Sequence, residues 1–126
     1  MMKFLLAFAA LWMLMAAAHA ETQLLYIFAS DCGACNKFQR EVGDIYPKTQ
    51  ESRVLPMAKI ELAQWRAGTS QLNQCDTKEV FGTPTFILLE DCVETDRITG
   101  YANDELFWLA LTRMVNHAQR GVSATP

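Results

Sequence analysis

Apolar and polar positions change period several times along this chain, and each change marks an element. Leu24-Leu25-Tyr26-Ile27-Phe28-Ala29 is continuously apolar, the pattern of a central strand covered on both faces, and predicts a strand over Gln23 to Ala29. From Cys35 the period lengthens to that of a helix, with Cys35, Phe38, Val42 and Ile45 on one face. This helix is predicted to begin near Cys32 and to run to Tyr46, where Pro47 limits it; Gly43 is placed to weaken or kink it. A polar stretch, Lys48 to Arg53, leads into a second strand over Val54 to Leu62, with Pro56 near its start. Ala63 to Phe81 shows no clear period and reads as one or two short helices broken near Gly68-Thr69-Ser70. Thr85 to Glu90 and Val93 to Thr99 read as a hairpin turning at Asp91-Cys92. The plainest pattern is the last. Leu106, Phe107, Ala110, Leu111, Met114 and Ala118 form a helical stripe behind the N-cap Asn103, with Asp104 and Glu105 in the first turn. Arg113, His117 and Arg120 favour the C-terminal end, and the tail from Gly121 to Pro126 is expected to fray.

The order is therefore strand, helix, strand, helix, strand, strand, helix. A βαβ unit followed by a hairpin and a closing helix predicts an α/β fold: a central mixed sheet of about four strands, flanked by helices. It also sets residues 32–35 at the carboxyl end of a central strand, where open α/β sheets hold their sites. No repeat, linker or low-complexity segment interrupts the pattern, so residues 21–126 are taken as one domain.

The first twenty residues belong to a different class of segment. Met1-Met2-Lys3 is a short positive start, Phe4 to Ala18 is uninterruptedly apolar, and Ala18-His19-Ala20 has the small-x-small form of a cleavage site. A signal peptide over residues 1–20 is expected, with an uncleaved membrane anchor as the alternative; His19 would leave with the peptide. Without Lys3 the chain keeps 10 basic against 14 acidic residues, a balance that argues against nucleic acid as a partner. All four cysteines would reach an oxidising compartment. Four is too sparse for a fold that depends on disulfide staples, so an ordinary core is expected.

Ser30-Asp31-Cys32-Gly33-Ala34-Cys35 carries the chemistry. Cys32 at the exposed start of the helix meets free N–H groups and partial positive charge, which favour its thiolate. Cys35, one turn on, lies on the buried face. One exposed, activated sulfur beside one shielded sulfur is the arrangement of thiol–disulfide exchange. A local disulfide clip and a zinc half-site are the alternatives; no second CxxC or HxxxH pair completes four zinc ligands, and Asn36 stands where c-type haem attachment needs histidine. No metal and no cofactor beyond the Cys32–Cys35 disulfide is expected. Phe81-Gly82-Thr83-Pro84-Thr85-Phe86 is the second signal. Pro84 suits the first position of a strand; with a CxxC upstream, a cis Thr83-Pro84 bond is the reading preferred. Its use would be to offer the Thr83 backbone to a partner's extended chain.

These strings together resemble the thioredoxin superfamily. Ile45-Tyr46-Pro47-Lys48-Thr49, Arg97-Ile98-Thr99-Gly100-Tyr101 and Glu105-Leu106-Phe107-Trp108 are similar to the periplasmic thioredoxin-like proteins of bacterial thiosulfate-oxidation (Sox) systems. The resemblance implies a thioredoxin-like fold, a periplasmic location and thiol–disulfide oxidoreductase activity. It makes Cys32 the attacking nucleophile, Cys35 the resolving thiol and Thr83-Pro84 the substrate edge. It also implies a protein substrate such as a Sox sulfur carrier, whose cysteine is kept reduced, and a membrane thiol-electron transporter as donor; a monomer is expected. Two departures stand out. Asp31 replaces the tryptophan that thioredoxins carry before the first cysteine, and Tyr26 stands at the place of their buried acid. Glu61, or Lys59 beside it, is a candidate to assist proton transfer, though each also suits an ordinary strand position.

Cys75 and Cys92 are candidates for a structural disulfide, a pairing that requires the intervening chain to descend the sheet. The acidic turn from Glu90 to Asp96 disfavours a thiolate at Cys92 and reads as a solvated hairpin. Trp65, Tyr101, Phe107 and Trp108 are expected at core or rim positions, with Tyr101 or Trp108 able to line a partner groove. His117 reads as a helix-end cation. The rival functions are a periplasmic oxidant or isomerase, and a redox-inert binding module.

Overall fold

β1 (Thr22–Phe28) is the strand on which the others are assembled. The computed structural model describes residues 21–123; the expected signal peptide of residues 1–20 and the tail residues 124–126 lie outside the described residues. Leu24, Leu25, Tyr26 and Ile27 are all buried, so consecutive side chains of β1 enter the cores on opposite faces of the sheet. β2 (Met57–Glu61) pairs with β1 in parallel and β3 (Thr85–Glu90) pairs with it antiparallel. β4 (Val93–Thr99) closes the hairpin on β3, giving the strand order β2-β1-β3-β4. The hairpin turns through Asp91 and Cys92 at φ 51° and 64°, the two positive values that a two-residue turn of the I′ type demands.

One face of the sheet, bearing Leu24, Tyr26, Phe86 and Leu88, is covered by α1 (Gly33–Phe38) and α4 (Asp104–Ser123). The other, bearing Leu25, Ile27, Ile87 and Leu89, packs with Leu62 and Trp65 of α3 (Leu62–Ala67) and with Leu72 of a 3-10 turn over Gln71–Gln74. Asn103 caps α4, its side chain accepting the Leu106 N–H at 2.9 Å. α4 continues through Gly121 to Ser123, where fraying had been expected.

The first helix departs from its predicted course. α1 ends at Phe38 and passes into a π-helical turn over Gln39–Gly43, followed by a 3-10 turn over Tyr46–Lys48 with Pro47 inside it. A π turn takes one residue more than an α turn, so the buried stripe resumes at Tyr46 rather than at Ile45. Tyr46 is buried and its hydroxyl donates to the Leu55 carbonyl at 2.7 Å, whereas Ile45 is 48% exposed. Gly43 leaves room for Gln39, whose Oε1 would stand 2.6 Å from a Cβ there. Val54, expected in the second strand, instead ends α2 (Glu51–Val54), and β2 is confined to Met57–Glu61.

The segment without clear period turns out to be the one that descends the sheet. α3 stops at Gly68, whose φ of 69° is the left-handed conformation of a helix C-cap. Ser70 then caps the 3-10 turn through its bond from the Leu72 N–H, and Cys75 arrives at the hairpin end of the sheet. There Cys75 and Cys92 form a disulfide, with Cα atoms 4.5 Å apart. From Asp76, which bridges to Val93 in parallel, the chain climbs back beside β4 toward Pro84.

Candidate active site

Cys32 is the N-cap of α1: its backbone is extended, and its sulfur accepts the N–H of Cys35 at 3.1 Å. The strand-to-helix reversal produces this, because the carbonyl of Cys32 already accepts from Asn36 N–H while its side chain faces the open end of the helix. Cys32 is partly exposed and Cys35 is 3% exposed, and the two are joined by a disulfide. A backbone donor aimed at Sγ stabilises negative charge there once the bond is reduced. Asp31 is exposed beside it. Removing this one water-screened charge with Asp31→Asn is expected to lower the Cys32 pKa. The pH dependence of Cys32 alkylation in the reduced protein reads the shift; an unchanged midpoint would show that the sulfur does not feel the carboxylate.

Aromatic rings form the floor beneath α1. Phe38, one turn after Cys35, has its ring centroid 4.8 Å from Tyr26, 4.8 Å from Phe86 and 5.1 Å from Phe107. Tyr26 and Phe86 stack at 4.9 Å across β1 and β3. Burial pushes the Tyr26 hydroxyl up to about 12, so it stays protonated near neutral pH and cannot serve as the proton-accepting carboxylate whose place it takes. Lys59, opposite Tyr26 in the β1–β2 register, sets its ammonium 4.4 Å from the Phe28 ring centroid and 5.8 Å from that of Tyr26. Glu61 lies two pairs further along, opposite Phe28, and is partly exposed.

The Thr83-Pro84 bond is cis, at the start of β3. Pro84 is buried, its carbonyl accepting from Gly100 N–H at 2.8 Å, and the Thr85 hydroxyl donates to the Gly82 carbonyl at 2.7 Å. Gly100, with φ 81°, turns the chain out of β4, and a groove of about 370 Å³ opens there between Ile98, Tyr101, Leu106 and Phe107. Tyr101 thus lines a groove, whereas Trp108 stacks on Tyr46 at 6.3 Å and Trp65 packs on the opposite face of the sheet.

Some connections carried no signal in the sequence. Lys37 donates to the Ala102 carbonyl at 2.6 Å and Tyr101 donates to Glu41 at 2.8 Å, tying α1 and the turn after it to the rim of the groove. Burial first, then the Glu41 bond and the charges of Glu41 and Asp104, push the Tyr101 hydroxyl upward and hold it as a donor. The acidic turn is also more structured than a solvated hairpin. Glu94 pairs with Arg97, Asp96 with Arg113 and Glu90 with His117, because β4 lies between the segment before β3 and the side of α4. His117 is thereby placed at Glu90, at the far end of β3 from Thr85. Among the described residues, no group of three His, Cys, Asp or Glu side chains could hold a metal ion.

A redox-capable cysteine pair at the junction of a central strand and a helix, at the same end of the sheet as the cis-proline, defines a thiol–disulfide oxidoreductase. A thioredoxin-like domain matches residues 12–114, and the chain belongs to that family, whose members act on protein substrates. Among solved structures it is similar to the periplasmic thioredoxin SoxS from Paracoccus pantotrophus in its reduced form. That match has 29% identity and a TM-score of 0.68, and covers 78% of this chain and 99% of that one. The thioredoxin Mala s 13 of Malassezia sympodialis shares the fold at 14% identity and a TM-score of 0.59, over 76% of this chain and 79% of that one. A mutant thioredoxin from Halobacterium salinarum does so at 18% and 0.53, over 76% of each chain. No curated protein matches the sequence significantly.

Proposed function

We propose that this protein is exported by residues 1–20 and works in the periplasm as a dedicated reductant. Its substrate is a partner protein's cysteine, such as that of a Sox sulfur carrier. The observation that carries this reading is the similarity to a periplasmic Sox thioredoxin across 99% of that protein's chain. No helix among the described residues is long and apolar enough to cross a membrane.

The chemistry starts from the reduced dithiol. The Cys32 thiolate attacks one sulfur of the partner's disulfide or sulfur adduct, forming a mixed disulfide and releasing the other sulfur as a thiolate. Cys35 gives up its proton and attacks Cys32 Sγ. The Cys32–Cys35 bond forms, the partner leaves with its cysteine reduced, and two electrons have moved. A membrane thiol-electron transporter returns the two electrons by the reverse exchange. Thr83 offers its backbone to the partner's extended chain during the first attack.

Cys35→Ser can attack but cannot resolve. Expressed in the native periplasm, it is expected to accumulate one dominant Cys32-linked adduct with a sulfur-carrier protein, absent from the Cys32→Ser, Cys35→Ser control and identified by mass spectrometry. Many adducts with secreted proteins would assign an oxidant or isomerase instead. The absence of any Cys32-dependent adduct would sink the exchange mechanism.

A further inference from the structure

The β3–β4 register shifts between Leu88 and Leu89: Leu88 faces Asp96 while Leu89 faces Glu94, leaving Thr95 as an extra residue. In an unbroken strand, Glu94 and Arg97, three apart, would point to opposite faces. The bulge reverses that. Glu94 now lies opposite Leu89 and Arg97 opposite Ile87, both of the core that also holds Val80, so the two charged side chains share one face. They meet at 2.6 Å, with Glu94 6% and Arg97 20% exposed in the side chain.

This pair grips the segment climbing from Cys75 to Pro84. The Arg97 guanidinium donates to the Glu79 carbonyl at 2.9 Å and to the Lys78 carbonyl at 3.0 Å. The Glu94 carboxylate accepts the Lys78 N–H at 2.7 Å. Two side chains thus do for Lys78 and Glu79 what a neighbouring strand would do, past the point where the Asp76–Val93 bridge ends. Immediately beyond the grip Val80 is buried; Phe81 is 80% exposed and leads directly into Gly82 and Thr83.

We infer that the Glu94–Arg97 pair is the positioning device of the substrate edge, holding the Lys78–Thr83 segment so that the Thr83 backbone is ordered before a partner arrives. Arg97 is a positioning residue: it meets neither sulfur and acts through the two carbonyls it holds. Preordering removes an entropy cost from partner binding and leaves the sulfur chemistry alone. The inference rests on the reading of Thr83 as the substrate's edge.

The test compares the unaltered protein with Arg97→Met and with Arg97→Met combined with Glu94→Gln. The second variant avoids stranding a largely buried carboxylate while its amide oxygen still accepts the Lys78 N–H. Turnover of insulin, a disulfide-bonded protein probe, is assayed with dithiothreitol as the electron donor, and the pre-reduced protein alone is assayed in a single turnover on 5,5′-dithiobis(2-nitrobenzoate), a small disulfide that needs no extended edge. Both variants are expected to raise KM for insulin about tenfold, with kcat and the small-disulfide rate unchanged. Amide hydrogen exchange is expected to quicken at Val80 to Thr83 and to stay the same in α1. Unchanged KM with unchanged exchange at Val80 to Thr83 overturns the inference, as does an equal loss on both probes with faster exchange throughout. If the unaltered protein reduces neither probe, the reductant reading fails, and the exchange comparison still decides whether the pair orders the segment.

Discussion

Replacing Cys32 with serine is expected to lower the rate of disulfide reduction by about a thousandfold or more. The expectation comes from the geometry and from the difference between sulfur and oxygen. Cys32 is the exposed member of the pair, capping α1, with the Cys35 N–H on its sulfur at 3.1 Å. A serine hydroxyl in that place accepts the same hydrogen bond, so the fold should survive. It remains un-ionised at neutral pH, however, and cannot form the mixed disulfide on which the exchange depends. Cys35 cannot substitute, since at 3% exposure its sulfur has no approach to a bulky partner. Steady-state reduction of a protein disulfide by the purified variant, beside its circular dichroism spectrum, checks both halves. Retention of a tenth or more of the rate with an unchanged spectrum would mean that Cys32 is not the nucleophile.

The second large effect falls on stability. Phe38→Ala is expected to cost about 3–5 kcal/mol, the range for truncating a buried phenylalanine. Phe38 is fully buried, and its ring meets Tyr26, Phe86, Phe107 and, at 5.4 Å, Tyr101. Those partners come from β1, β3, α4 and the loop before α4, so no single element can shift inward to fill the space without disturbing another. Small domains have about 5–15 kcal/mol in all, so the variant loses roughly a fifth or more of its stability, equivalent to a fall in Tm of roughly 15–30 °C. Urea denaturation of the oxidised protein measures it. A loss below about 1 kcal/mol would show that the aromatic floor repacks around the gap. Because Phe38 lies one turn beyond Cys35, the same truncation removes the support that holds the shielded sulfur against the sheet.

How much could be read in advance follows the range of the interaction concerned. Local pattern alone determined the CxxC at the end of an apolar strand, the β3–β4 hairpin to the residue, the Asn103 cap and, except for Leu106, which is 54% exposed at the groove, the stripe of α4. Each depends on neighbours within a turn or a two-residue period, which is what a linear pattern encodes. The aromatic floor was only half visible: its members stood on predicted core faces, but which rings meet depends on how four elements pack. Tertiary structure alone decided the rest. The first helix yields to a π turn that buries Tyr46 in place of Ile45, a phase shift that the regular spacing of Phe38, Val42 and Ile45 concealed. Cys75 reaches Cys92 because α3 and the 3-10 turn carry the chain down the sheet. Glu94 and Arg97 reach Lys78 and Glu79 because one bulged residue turns both to the same side. The free energy of each of these arrangements comes from partners sixteen to nineteen positions away or on other elements. A one-dimensional sequence lists such partners without saying which of them meet.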